Sequence, residues 1–541
     1  MHQTACNNLA ALEKLNDDVL SYIIHDFIFV KCDFDDGIAQ LSLTSKRLRT
    51  ACLPILFRKA KIKCHDLVSS APPPASWPYV RTMEITGTIV SHIGFNSTHL
   101  RKILPHLVAL RKIRFSHFTD GVDWYTLNVM LAAPNIRALE IEEPPSMVRN
   151  DLSFPDEINP AMLPFTEFIY TIYSPRSPWF YFKAPETIAR RCYMRPLILA
   201  LHEKLEVLHL PSAMAPLQQM ADLHWPCLRE FKLDRENYEG EDPTLFACLF
   251  SKMPQLRNLD LHFFHKGPSR QTLILPSDAP FSPSFDHLDS LYIPYPDPND
   301  KLYDRIPLLL QRLRLVDRPR YYRFNTESAE LVDGYTRPLL VTATELLHIL
   351  KRLGGPFAIL EHLELAFQAD SQDCMLLAQT AEAFPNVRLL ELHRYRSEGE
   401  AGIQIESAME NIATTLSTLR HLRHFRVYLN LLGDDYQPPG VHRQESNTES
   451  ISESEFMALL RHHAMKIARN CSPSLRIIDF LTTYVYGEQF WIRCYVSRDD
   501  QGNPVLEFDE HIIVPPSRLF VFWPPLCMTI ADRFLNRDDY P

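Results

Sequence analysis

A six-residue pattern that returns along most of the chain constrains the fold more than any other feature. An apolar residue is followed by two variable positions, a second apolar residue, one variable position and a third apolar residue, often with Pro-x in front. It reads PYVRTMEI at 78–85, LRKIRF at 110–115, PNIRALEI at 134–141, LEVLHL at 205–210, PCLREFKL at 226–233 and PQLRNLDL at 254–261. It continues as LDSLYI at 288–293, LQRLRL at 310–315, LEHLEL at 360–365, PNVRLLEL at 385–392, LRHFRV at 422–427 and PSLRIIDF at 473–480, with a weaker copy FTEFIY at 165–170. One such hexamer is within reach of chance; twelve, most with a charge among the variable positions, are not. Leu110 to Ile136 is a step of 26 residues, Leu205 to Leu228 of 23, Leu228 to Leu256 of 28 and Leu360 to Val387 of 27. The last two apolar residues lie two apart, so both point to one side of a short strand. A unit this small cannot bury its apolar side alone, so successive strands must stack in parallel, each covered by its neighbours and a return segment.

The spacing resembles that of leucine-rich repeats, whose unit is about 20–29 residues. The resemblance implies an α/β solenoid with a curved parallel sheet. The family's Asn after the third apolar residue is missing: Thr86, Asp234, His262 and His393 stand there, so the repeats are degenerate. Residues 142–164 and 294–304, rich in Pro and Asp, read as loops. Residues 433–455 are acidic, nearly devoid of apolar side chains, and expected to be disordered. Residues 485–541 are expected to cap the last repeat, EQFWIRCYVSRDDQGNPVLEF forming two strands about an Asp-Asp-Gln-Gly turn.

Ahead of the repeats, KLNDDVLSYII at 14–24 carries Asn16 as an N-cap, Asp17 and Asp18 in the first turn, and Val19, Leu20, Ile23, Ile24 and Phe27 at helical spacing. A second helix starts at Asp35 or Asp36 with Ile38, Leu41 and Leu43; a third is capped by Ser45, with Leu48, Ala51 and Cys52 on one face, and is expected to break at Pro54. Three short helices this apolar leave surface for a partner.

This arrangement resembles the F-box. Leu15 and Asp17-Asp18-Val19-Leu20 match the family's LPxEIL opening, Ile23 its following Ile, LSLTSKRLR at 41–49 its LSLVSKRWR, and Leu53-Pro54-Ile55-Leu56-Phe57 its closing apolar segment. The match spans 12–60, about a tenth of the chain; Asn16 replaces the usual Pro, Leu48 the usual Trp, and FIFVKCDFDD is longer than the family norm. Residues 1–65 are accordingly read as an F-box domain and 66–541 as the repeats. What the resemblance implies is the substrate-recognition subunit of a cullin-RING ubiquitin ligase of the SCF type. Leu15, Val19, Leu20, Ile23, Leu41, Leu43, Lys46, Leu48, Leu53 and Leu56 would dock on the Skp-type adaptor, and through it on the cullin. The alternative is a protein-interaction scaffold whose N-terminal helices only cap the repeats.

Formal net charge is −10, against a dedicated nucleic-acid binder. The basic run Lys46, Arg47, Arg49, Arg58, Lys59, Lys61 and Lys63 reads as a solvated face beside an acidic adaptor. No stretch is long and apolar enough for a membrane span, and no secretory signal is visible. The 11 Cys form no CxxC pair, which fits a reducing compartment, cytoplasmic or nuclear. Only 15 Gly occur in 541 residues, and no phosphate loop, nucleophile elbow, HExxH or EF-hand pattern is present, so neither an enzyme nor a cofactor is expected. His421, His424, His462 and His463 lack carboxylates or Cys at ligand spacing, so no metal is expected either. The residue between the second and third apolar positions faces the concave side: Glu84, Arg114, Glu140, His209, Lys232, Asp260, Tyr292, Arg314, Glu364, Glu391, Arg426 and Asp479. Mixed signs suit a folded protein ligand, and Arg314, Glu364, Glu391, Arg426 and Asp479 are the expected contacts to an unknown protein substrate.

Overall fold

The computed structural model describes residues 15–16, 18–20, 22–24, 34–64, 70–87, 97–116, 121–143, 154–155, 157–172, 194–236, 244–264, 273–279, 283–318, 320–321, 339–397, 402–429, 452–483 and 489–509. Every copy of the hexamer ends in a strand: β1 (Lys59–Lys63), β2 (Thr82–Thr86), β3 (Lys112–Ser116), β4 (Ala138–Glu143), β5 (Glu167–Ile172), β6 (Val207–Pro211), β7 (Glu230–Glu236), β8 (Asn258–Phe264), β9 (Ser290–Pro294), β10 (Arg312–Val316), β11 (His362–Gln368), β12 (Leu389–Tyr395), β13 (His424–Tyr428) and β14 (Ile477–Thr483). The weak copy FTEFIY supplies β5, and β1 precedes the first copy. β15 (Gln489–Arg498) and β16 (Pro504–Phe508) follow.

The chain divides into two compact units at Leu210/Pro211. In the first, β1 to β6 run in sequence order, each parallel to the last. In the second, β7 to β14 do the same. β15 then pairs antiparallel with β14, and β16 with β15. Both units are therefore α/β arrays of strand-and-return repeats. Pairing aligns like positions of successive hexamers: Leu233 opposite Leu261, Leu313 opposite Leu363, Leu390 opposite Phe425. These side chains and their partners two residues on form the core; Leu259 and Leu261 are both 0% exposed. The return segments are helical where the sequence has apolar residues at helical spacing, as in Ala343–Arg352, which Thr342 and Glu345 start with a reciprocal capping box.

At the N-terminus Asn16 caps as expected: its Oδ1 accepts the Asp18 N–H at 3.2 Å and its carbonyl the Leu20 N–H at 2.9 Å. Helices Phe34–Thr44 and Lys46–Leu56 follow, Ser45 accepting the Leu48 N–H. Pro54 does not break the last helix. It removes one donor near the end, and the final turn still closes through Phe57 N–H to Leu53 C=O at 3.0 Å. Leu20, Ile24, Ile38, Leu48 and Cys52 make a small closed core, with Leu41, Ala51, Ile55 and Leu56 packed on it.

Three loop expectations change. Glu142 and Glu143 end β4 and are buried, Glu142 paired with Arg114 and Glu143 accepting from Tyr170 Oη at 2.6 Å; residues 144–153 lie outside the described residues. Residues 294–304 are not an open loop: Asp300 is buried and accepts the N–H groups of Ile274, Leu275 and Leu302, and Leu302 and Tyr303 point inward. Of 433–455, residues 433–451 lie outside the described residues, whereas Ser452 and Glu455 form the capping box of helix Glu453–Asn470. In the C-terminal segment, Gly502 takes φ +83 to close the turn between β15 and β16, and Asp499 accepts the Gln501 and Asn503 N–H groups.

Candidate functional site

The central residues of the strands form a ladder. In the second unit, pairing sets Lys232 beside Asp260, Asp260 beside Tyr292, and Tyr292 beside Arg314. It goes on through Glu364, Glu391, Arg426 and Asp479 to Arg493. Neighbouring strands are about 4.8 Å apart, so each charge sits within reach of the next. Arg314 Nε donates to Glu364 Oε2 at 2.6 Å, and Arg314 lies over the Tyr292 ring at 4.7 Å. Arg426 approaches both Glu391 and Asp479 at 3.4 Å. Asp479 also accepts from Arg493 at 3.0 Å and pairs with His424 Nε2 at 2.7 Å.

Apart from the neutral Tyr292, the sign alternates except at Glu364 and Glu391. That like-charged step is bridged from outside the ladder by Arg320, which donates to Glu364 Oε1 at 2.6 Å, Glu391 Oε1 at 2.9 Å and Asp317 Oδ1 at 2.9 Å. His393 Nε2 reaches Glu391 Oε1 at 2.7 Å. Asp317 is itself fixed by the Tyr321 N–H at 2.8 Å and the Tyr395 hydroxyl. Tyr295, Leu340, Tyr395 and Tyr428, with Tyr321 and Leu481 against them, form an apolar cluster of their own alongside.

This arrangement corrects the expected substrate row. Glu364 and Asp479 are fully buried, Glu391 nearly so, and Arg314 and Arg426 are partly buried in pairs within the chain. The alternating signs are explained by strand-to-strand pairing rather than by a ligand. Burial alone would raise the Glu364 carboxyl, but Arg314 and Arg320 outweigh it and Glu391's repulsion, bringing it down to about 2. Glu391 is held well below its ordinary value by His393, Arg320 and Arg426 against the same burial. Asp479 is brought to about 2 by His424 and Arg493 despite burial. Carboxylates held this low are poor proton shuttles near neutral pH, and guanidinium groups fill the place a metal would take between Glu364, Glu391 and His393. Asp260 is half-buried and paired with His262 at 3.6 Å; His262 stacks on Tyr292.

The first unit repeats the device with more exposure: Lys61, Glu84, Arg114 and Glu140 are neighbours across β1 to β4. Lys112 reaches Glu140 at 2.5 Å, Arg114 reaches Glu142 at 2.7 Å, and Ser116 Oγ donates to Glu84 at 2.7 Å.

The candidate adaptor residues split. Leu20 and Leu48 are 1% exposed and belong to the helices' own core, so neither can touch a partner directly. Leu15, Leu41, Leu53 and Leu56 are half-buried, and Lys46 is exposed. Val19, Ile23 and Leu43 are exposed at 46%, 37% and 72%, and Tyr22, outside the expected docking set, at 73%. Arg320, Asp317, His393, Tyr395 and Arg493 were also missed. The two adjacent Glu of the row were the signal that a cation must come from elsewhere.

No family model matches the chain, and no curated protein matches it. Among solved structures it is similar to one described as the crystal structure of the Rad7 and Elc1 complex in yeast, at 10% identity and TM-score 0.34, over 84% of this chain and 97% of that one. Another is the TLR13–ssRNA13 complex, at 11% identity and TM-score 0.22, over 77% of this chain and 61% of that one. The repeat architecture rests on the strand register, not on these likenesses.

Proposed function

We propose that this protein is the substrate-recognition subunit of an SCF-type cullin-RING ubiquitin ligase, its N-terminal helices docking on a Skp-type adaptor and its repeats holding a protein substrate. The observation that carries the reading is the exposed apolar set Val19, Tyr22, Ile23 and Leu43 on helices whose own core is already closed. A closed core leaves such residues without a use inside the cluster, and helical apolar surface suits a helical partner. The role is one of binding, with no chemistry and no cofactor of its own. The seven described cysteines are all free, in keeping with a cytoplasmic or nuclear site of action. With Glu364, Glu391 and Asp479 of the second unit's row buried, substrate contact is assigned to the row of the first unit, around Glu84, Lys112 and Arg114, which are paired but only partly buried.

The scaffold reading has one observation in its favour: helix Lys46–Leu56 lies against the turn Pro74–Tyr79, as a cap would. Co-purification with the adaptor separates the two. Ile23→Asp with Leu43→Asp should abolish capture of the adaptor while leaving the melting temperature unchanged, because both side chains are exposed. Undiminished capture, or none by the wild type, would sink the receptor reading.

A further inference from the structure

Helices Gly402–Leu416 and Glu453–Asn470 pack against each other in the second unit. Where they meet, Glu406 of the first faces His462 and His463 of the second, three ligand atoms lying within 4.8 Å of one another. The two histidines have no carboxylate at ligand spacing along the sequence; the fold supplies one from 56 residues away. We propose that Glu406, His462 and His463 form a binding site for a divalent transition metal such as zinc or cobalt, clamping the two helices together.

The distances favour a metal over direct bonding. His462 Nε2 stops 3.8 Å from Glu406 Oε2, and His463 Nε2 stops 3.8 Å from Glu406 Oε1. Both gaps are too long for hydrogen bonds. Ligands about 2.0–2.1 Å from a tetrahedral ion stand about 3.3 Å apart, so atoms within 4.8 Å of one another seat one by drawing together by at most about 1.5 Å. His463 is 1% exposed, so the Nε2 it turns toward Glu406 is shielded from solvent. Two imidazoles and one carboxylate suit zinc, cobalt or nickel better than magnesium or calcium. His462 and Glu406 are exposed at 62% and 45%, which leaves entry for the ion and room for a water as fourth ligand. Lys466 is the competitor, its Nζ at 3.1 Å from Glu406 Oε2. It also pairs with Glu410 at 2.8 Å, so it has a carboxylate to keep when the ion displaces it.

The test uses the full chain, stripped with chelator and titrated with cobalt(II) by visible absorption and with zinc by calorimetry. One ion should bind, and zinc should raise the melting temperature. His462→Ala and Glu406→Gln, both at exposed side chains, should each weaken binding at least ~10-fold and remove the thermal shift. Lys466→Met should tighten binding by removing the competing cation. Wild-type affinity in both His462→Ala and Glu406→Gln, or no stoichiometric binding by the wild type, would overturn the site.

Discussion

Arg320 is the residue on which the charge ladder turns, and Arg320→Met is the perturbation that exposes its role. Methionine keeps much of the side chain's length and its apolar contacts while removing the charge and the three hydrogen bonds to Asp317, Glu364 and Glu391. Glu364 and Glu391 are then left side by side, with oxygens within 4.8 Å of each other. At an effective dielectric of about 20, two unit charges at that separation repel by about 3.5 kcal/mol. Removing one partner of a buried ion network costs about 3–5 kcal/mol in general, so the two estimates agree. The expected result is a loss of that size at pH 7, read as a shift of the chemical-denaturation midpoint of the second unit's transition. The pH response should also change. Without Arg320 the Glu364 carboxyl rises toward its ordinary value, the folded state takes up a proton more readily, and the deficit against wild type shrinks as pH falls below about 5. A variant within about 1 kcal/mol of wild type at pH 7, or a deficit that does not narrow with acid, would refute the reasoning.

Leu261→Ala should destabilise by about 2–5 kcal/mol, since the side chain is fully buried, whereas Asp260→Ala beside it should cost far less; the reverse order in thermal melts would mean a wrong strand register. Glu364 and Asp479 both titrate at about 2, below their ordinary 4.5 and 3.8. Their stabilisation is therefore complete above about pH 4.5 and is lost as pH falls toward 2. Melting temperature against pH over that window should fall less steeply in Glu364→Gln than in wild type, and parallel curves would contradict the assignment.

The strands were legible because apolar residues two apart, repeated at a near-constant step, admit few other folds. Leu259 and Leu261 needed only that pattern. The helix caps at Asn16 and Ser45 were legible for the same local reason. What failed was long-range. Leu20 and Leu48 looked like docking residues because apolar helical faces read alike, whether they meet a partner or each other. Glu364 and Asp479 looked like surface because polar residues in a strand usually are. Their partners Arg320 and Arg493 lie 44 and 14 residues away in sequence, and only the fold brings them in. Glu406 and its histidines were hidden by the same separation.

The ladder gives the array a parity. In the first unit Lys61, Glu84, Arg114 and Glu140 stand in alternating sign on successive strands. Deleting the repeat that carries Arg114 would set Glu84 against Glu140, and duplicating it would set arginine against arginine. Removing or adding two neighbouring repeats together preserves the order of signs. Such an array lengthens or shortens at low cost only in steps of two, and a step of one needs a bridging cation brought in from a return segment. Arg320 supplies that cation where Glu364 and Glu391 put two like charges on neighbouring strands.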